Sequence, residues 1–163
     1  MSNEAAKMTA IWRMVCKDSA GNVKWEDEGK NLIVDEGLDY QLGNAMSGAT
    51  LYVGLTDGTP TPAAGDTMAS HAGWTEITNY DEAARQAWTQ GAVASQSLTN
   101  SASVATFTMS GSATVGGGFM TTVSTKGGST GTLFNVKAAT EGDRALVAAD
   151  SLEVTVSISL SSS

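Results

Sequence analysis

A single cysteine, Cys16, in a chain of 163 residues excludes an intramolecular disulfide and any site built on several thiolates. Cys16 reads as a small, buried apolar residue. A single histidine, His71, leaves zinc short of the His, Cys and carboxylate ligands it normally gathers. Positive charge is scarce too: 9 Lys and Arg stand against 17 Asp and Glu, for a formal net charge of −8. Such a surface repels phosphate backbones and anionic headgroups, so neither nucleic acid nor membrane is expected as a partner. No apolar run approaches the roughly 18 residues of a membrane-spanning helix. The opening MSNEAAKMTA has no charged start followed by an apolar core, so synthesis in the cytoplasm is expected.

Only two prolines accompany 56 Ser, Thr and Gly residues, and 41% of the chain is apolar. That composition excludes a Pro-rich or disordered linker and leaves enough apolar side chain for a core. The length fits one domain. Residues 1–8 read as a flexible N-terminal arm and residues 9–161 as a single β-sandwich domain.

Period-two alternation dominates the chain. The segment Met8–Glu28 reads as a hairpin, with Trp12, Met14 and Cys16 on one face and Ile11, Arg13 and Val15 on the other. DSAGN supplies the turn, where Gly21 takes a positive φ. KNLIV reads as another short strand. Leu38, Leu42 and Met46 recur at i, i+4 and i+8 and predict one short helix over residues 35–46, with Asp35 as its cap. LYVGLTDG predicts a strand ending in an Asp57-Gly58 turn, and GWTEIT an extended segment. NYDEAARQAW is compatible with a helical turn or an extended segment. The closing LEVTVSISL predicts one half-buried strand with Leu152, Val154, Val156, Ile158 and Leu160 inward. Six to nine strands with turn signals between them give an all-β, mainly antiparallel sandwich, Ig-like or jelly-roll-like.

The forty residues from Gln86 to Thr125 contain no Asp, Glu, Lys or Arg. Ala105, Phe107 and Met109 alternate with Thr106, Thr108 and Ser110, which leaves an outer face of small uncharged groups. Interface cores are depleted in charge. Thr106, Thr108, Ser110, Thr114 and Thr121 are therefore the candidate interface residues.

Chemistry concentrates in Gly65–Trp88, GDTMASHAGWTEITNYDEAARQAW. His71 has only Ser70 beside it, which is poor geometry for a nucleophile–base pair, and no GxSxG elbow occurs. Glu76, Asp81 and Glu82 are weak candidates for glycosidase carboxylates. Arg85 is better read as pairing with Asp81 or Glu82 at helical spacing. Trp74, Tyr80 and Trp88 fit core anchors better than a sugar platform. DEGLD and EDEG do not match a calcium loop, and the glycine-rich stretches lack phosphate-binding frames. No catalytic residue, metal or cofactor is expected, and the chain reads as a non-enzyme. A glycosidase or esterase is the weakest of the function classes weighed.

Six landmarks, in order from Asn31 to Leu160, resemble a group of small tailed-bacteriophage virion proteins. They are NLIVDEGLDYQL, LYVGLTDG, GDTMASHAGWTEITNYDEAARQAW, NSASVATFTMSGSATVGGGFM, KGGSTGTLF and ADSLEVTVSISL. The pattern usually closes on Gly-Asp-Thr-Leu, where this chain has Ala149-Asp150-Ser151-Leu152. The resemblance implies a β-sandwich structural component of the head or tail and transfers no catalytic residues. The leading expectation is a capsid decoration (cement) protein on the outer head surface, bound to the major capsid protein. The second is a tail or tail-fibre component contacting host surface glycans. A homo-oligomer, dimer or trimer, is expected in either case.

Overall fold

The structure, a computed structural model, describes residues 6–8, 11–17, 19–30, 32–46 and 48–162. Thirteen strands and one helix follow in chain order among them. They begin with β1 (Ala6–Met8), β2 (Ile11–Lys17), β3 (Val23–Lys30), α1 (Asp35–Met46) and β4 (Leu51–Asp57). Next come β5 (Thr75–Ile77), β6 (Gln86–Trp88), β7 (Ser97–Thr99), β8 (Ala105–Thr108) and β9 (Ala113–Thr121). The last four are β10 (Leu133–Ala138), β11 (Arg144–Leu146), β12 (Ser151–Val154) and β13 (Ser157–Ser162). The fold is all-β, sandwich-like and mainly antiparallel, with a single helix. Strands outnumber the six to nine expected because several are only three residues long.

Contacts divide the chain into two compact units, where the sequence reads as one span over 9–161. The larger comprises Gly48–Gly91 and Thr99–Val156. Its centre is the antiparallel pair β4–β9, and each member carries two short strands in series on its outer edge. Leu51–Val53 pairs with β6 and Leu55–Asp57 with β5, while β9 pairs with β11 and then β10. Gly54 falls between the two flanking pairs and sits opposite Phe119. A Cβ there would lie 2.5 Å from Phe119 Cε1, so only glycine lets the ring lie flat on the strand. Phe119 is buried with Met68 and Trp74, and Leu133 and Val136 pack against the three. β8 pairs with β12, with Ala105, Phe107 and Met109 buried as the alternation requires.

The closing segment keeps its alternation but not its continuity. Residues 155–156 lie outside both β12 and β13. The Val156 amide donates to Asn100 Oδ1 at 2.7 Å, and its carbonyl accepts from Trp88 Nε1 at 3.0 Å. These two side chains satisfy backbone groups that leave the ladder, so the break is stable when buried. Asn100 is itself buried, and its Nδ2 donates to the Val154 carbonyl at 3.1 Å.

The smaller unit comprises Met1–Ser47, Ala92–Leu98 and Ser157–Ser163. Its sheet runs β1-β13-β7, with β1 parallel to β13, so residues 6–8 of the expected arm form a strand. Residues 1–5 and the side chain of Cys16 lie outside the described residues. α1 matches the expected span, with Leu38, Leu42 and Met46 buried and β13 beside it. Leu38 N donates to the Val34 carbonyl, so Asp35 is the first helical residue and not the cap. The strand expected at KNLIV does not form: residues 32–34 are irregular, and Leu32 and Val34 are exposed. β2 and β3 make the expected hairpin, with Gly21 at φ +90°.

Candidate functional site

Gly65–Trp88 carries one buried ion pair, which Trp74 meets through the Phe119 ring and which acts electrostatically on Tyr80. Arg85 has a fully buried side chain and Glu76 one that is 8% exposed. Arg85 Nε donates to Glu76 Oε1 at 2.9 Å and Nη2 to Oε2 at 2.7 Å, a bidentate pair. Nη1 and Nη2 also donate to the carbonyls of Val123 and Gly128, at 2.9 and 2.7 Å. The expected partners Asp81 and Glu82 are not the ones chosen. Residues 81–84 form bends, so no helical turn exists to bring an i−3 or i−4 carboxylate into reach. The β5 residue Glu76 presents its carboxylate instead. The guanidinium carbon lies 5.2 Å from the Phe119 ring centroid, which couples the pair to the core.

Glu82 turns its carboxylate to the Thr108 amide, accepting at 3.0 and 3.1 Å. Lys126 donates to the Tyr80 and Glu82 carbonyls at 2.8 and 2.7 Å, and its ammonium lies 4.2 Å from the Tyr80 ring centroid. Trp74, Tyr80 and Trp88 are all buried. Among the described residues, Tyr80 Oη and Trp74 Nε1 find no hydrogen-bond partner. Burial, with Glu76 next in effect, pushes the Tyr80 phenol well above its ordinary range, against a smaller opposing effect of Arg85. His71 stacks on Trp74 at 3.8 Å between centroids, and its Nδ1 lies 3.1 Å from the Trp74 carbonyl. The histidine is therefore held by its neighbour's ring and backbone.

Surface clefts on this unit include two beside β4, β9 and β10. One is lined by Pro62, Asp66, Phe134 and Val136 among others, and one by Asp57, Thr114 and Leu146 among others. Each contains a single carboxylate, where glycoside hydrolysis ordinarily uses a facing pair. Among the described residues no group of three or more His, Cys, Asp or Glu is placed to hold a metal ion.

The five candidate interface residues do not form one uncharged face. Thr121 is buried and donates to the Thr132 carbonyl at 3.0 Å, so it belongs to the interior. Thr106 and Thr108 are half-buried, and Ser110 and Thr114 are exposed. Thr106 sits directly opposite Glu153, and Val115 is flanked by Arg144 and Asp57. Lys137 sits opposite Gly118. Charges missing from the forty-residue stretch arrive from neighbouring strands. A gap in the sequence is not a gap on the sheet.

Sequence reasoning passed over three residues that hold this unit together: Glu76 as the partner of Arg85, Lys126 and Asn100. A buried Asn beside a strand carries no periodic signal, and pairing across 9 or 44 positions is invisible to local spacing. It also passed over the β2–β3 hairpin as a surface. Ile11, Met14, Val15, Val23 and Trp25 are all exposed there, Ile11 by 66% and Trp25 by 52%. Comparisons with protein-family models, with curated proteins and with solved structures find no match.

Proposed function

We propose that this chain is a non-enzymatic structural protein of a tailed-bacteriophage virion, a decoration protein that binds the major capsid protein lattice and stabilises the head. The observation that carries the reading is the use made of the polar side chains in Gly65–Trp88. Arg85, Glu76, Glu82 and His71 contact backbone groups, one another or a neighbouring ring, which makes the segment a brace between strands. A protein that must keep one shape on a repeated surface needs such a brace, and needs no reactive group.

The resemblance supplies the virion context. Its landmarks fall, in order, on α1, β4 with its turn, β5–β6, β8–β9, the start of β10 and β12–β13. It departs at Ser151, which stands for threonine, and at Ala149, where φ is +71°, a conformation that glycine adopts without a Cβ penalty. The glycine of the usual pattern fits this backbone better than the alanine present. The tail reading drew its glycan platform from Trp74 and Tyr80, and both are buried. No observation favours it.

Electron microscopy of purified particles bearing a labelled copy of the chain tests the proposal. Label spread regularly over the whole head is expected. Label confined to the tail, or particles without label, would overturn it.

A further inference from the structure

We propose that the β2–β3 hairpin is an oligomerisation arm. β2 of one copy pairs along its open edge with β3 of the next, and a closed ring of three or more copies covers Met14 and Trp25.

The hairpin leaves two needs unmet, a cover for its apolar side chains and partners for its open edges. In its register Met14 lies opposite Asp27 and Cys16 opposite Trp25, so alternation puts Met14 and Trp25 on one face. Both are at least 44% exposed. A bulge after Cys16 sets Val23 opposite Lys17, on the other face, which carries the Arg13–Glu26 ion pair at 3.1 Å with Ile11, Val15 and Val23 exposed beside it. β2 and β3 pair only with each other among the described residues, so each keeps one edge of unpaired amides and carbonyls. Among the described residues, neither strand packs substantially on any other element. An isolated two-stranded ribbon is marginally stable in water, and three or more strands with a covered apolar face are the usual remedy. Strand addition meets both needs at once, since it fills the open edges and lets apolar faces converge.

Charge selects the occupant and the geometry. β2, IWRMVCK, contains two cations and no carboxylate. β3, VKWEDEGK, has the consecutive acids Glu26, Asp27 and Glu28 at its centre, with Lys24 and Lys30 toward its ends. A two-fold pair of β3 edges would set that acidic run against itself, and a two-fold pair of β2 edges would set cation against cation. Like charges facing across strands are destabilising. β2 against a neighbour's β3 is the complementary arrangement, and it continues the antiparallel order of the hairpin. Because it joins two different surfaces it is heterologous, and a heterologous contact is satisfied throughout when it closes into a ring.

The test uses the 163-residue chain free in solution, so its outcome is separate from that of the virion proposal. Sedimentation equilibrium should give a discrete oligomer of three or more copies. The double variant Met14→Ser, Trp25→Ser should sediment as a monomer and keep the cooperative thermal unfolding of the rest of the chain. A charge-exchanged chain, R13E/K17E/E26K/E28K, keeps β2 complementary to β3 within itself and should assemble with its own kind. Mixed with wild type it should sort into separate oligomers, because each mixed edge would bring like charges together. A monomeric or dimeric wild type would overturn the proposal, as would undiminished assembly of the serine variant. Preferential mixing of the two charge forms would overturn it too, since two-fold edge pairing makes that outcome.

Discussion

Arg85→Met should destabilise the protein by about 3–5 kcal/mol, the range for removing one partner of a buried ion pair. The figure near zero to 1 kcal/mol that describes solvent-exposed pairs does not apply, because the Arg85 side chain is fully buried and Glu76 nearly so. The variant removes four hydrogen bonds, two to Glu76 and one each to the Val123 and Gly128 carbonyls. Glu76 would keep the Gly127 amide, which donates to Oε2 at 3.0 Å, as a remaining partner. A carboxylate held by one amide remains poorly compensated. Each stranded carbonyl adds roughly 1–3 kcal/mol where water cannot reach it, which favours the upper half of the range. Against a total stability of about 5–15 kcal/mol the loss is large. Glu76→Met should cost a similar amount by stranding the guanidinium. The double variant should cost clearly less than the sum, with a coupling of at least about 2 kcal/mol, because methionines leave no buried charge. Urea unfolding followed by tryptophan fluorescence, with an unchanged denaturant slope, measures all three. A loss under about 1 kcal/mol for Arg85→Met, or additivity within about 0.5 kcal/mol, would refute the view that this pair braces the fold.

Tyr80→Phe removes a buried hydroxyl that has no partner, so stability at neutral pH should hold or rise by about 1 kcal/mol. The folded-state pKa of Tyr80 lies above the unfolded value of 10.0, so its contribution is complete below pH 10 and declines as pH rises beyond that. Wild type should therefore lose about 1.4 kcal/mol per pH unit there that Tyr80→Phe does not lose, and parallel alkaline unfolding curves would contradict this. Ala149→Gly relieves a left-handed residue at φ +71° and should raise stability by about 0.5–1 kcal/mol, net of the entropy glycine loses on folding. A scan should then show a Tm increase of about 1–4 °C, and a decrease would mean that the alanine methyl makes a contact that matters.

Local pattern set the elements and the faces they bury. The spacing of Leu38, Leu42 and Met46 gave α1 its ends and its buried stripe, because a 3.6-residue period is a property of neighbouring positions. Alternation at Ala105, Phe107 and Met109 likewise named the buried face of β8. Turn chemistry was legible where glycine supplied the positive φ of an expected turn, at Gly21 and Gly58. It was not legible at Ser95 and Gln96, which take φ of +50° and +55° in a tight turn between Ala94 and Ser97. Neither residue advertises that conformation. Asp39, on α1, accepts from the Gln96 amide at 2.7 Å and helps hold the turn from outside it.

The sequence by itself determined that the chain is all-β with one helix, acidic, and poor in the residues that metals and disulfides require. Those properties follow from composition and from periodicities of two and 3.6, which depend on near neighbours alone. Only the tertiary structure decided which charges meet. Arg85 turned to Glu76 on β5 because residues 81–84 bend away from helical geometry. The forty-residue charge gap closed because strands distant in sequence brought Glu153, Arg144, Asp57 and Lys137 beside it. The closing strand divided at Val156 because Asn100 and Trp88 offered its backbone other partners. Strand neighbours in a sheet are set by register between distant segments, and no local pattern encodes that register.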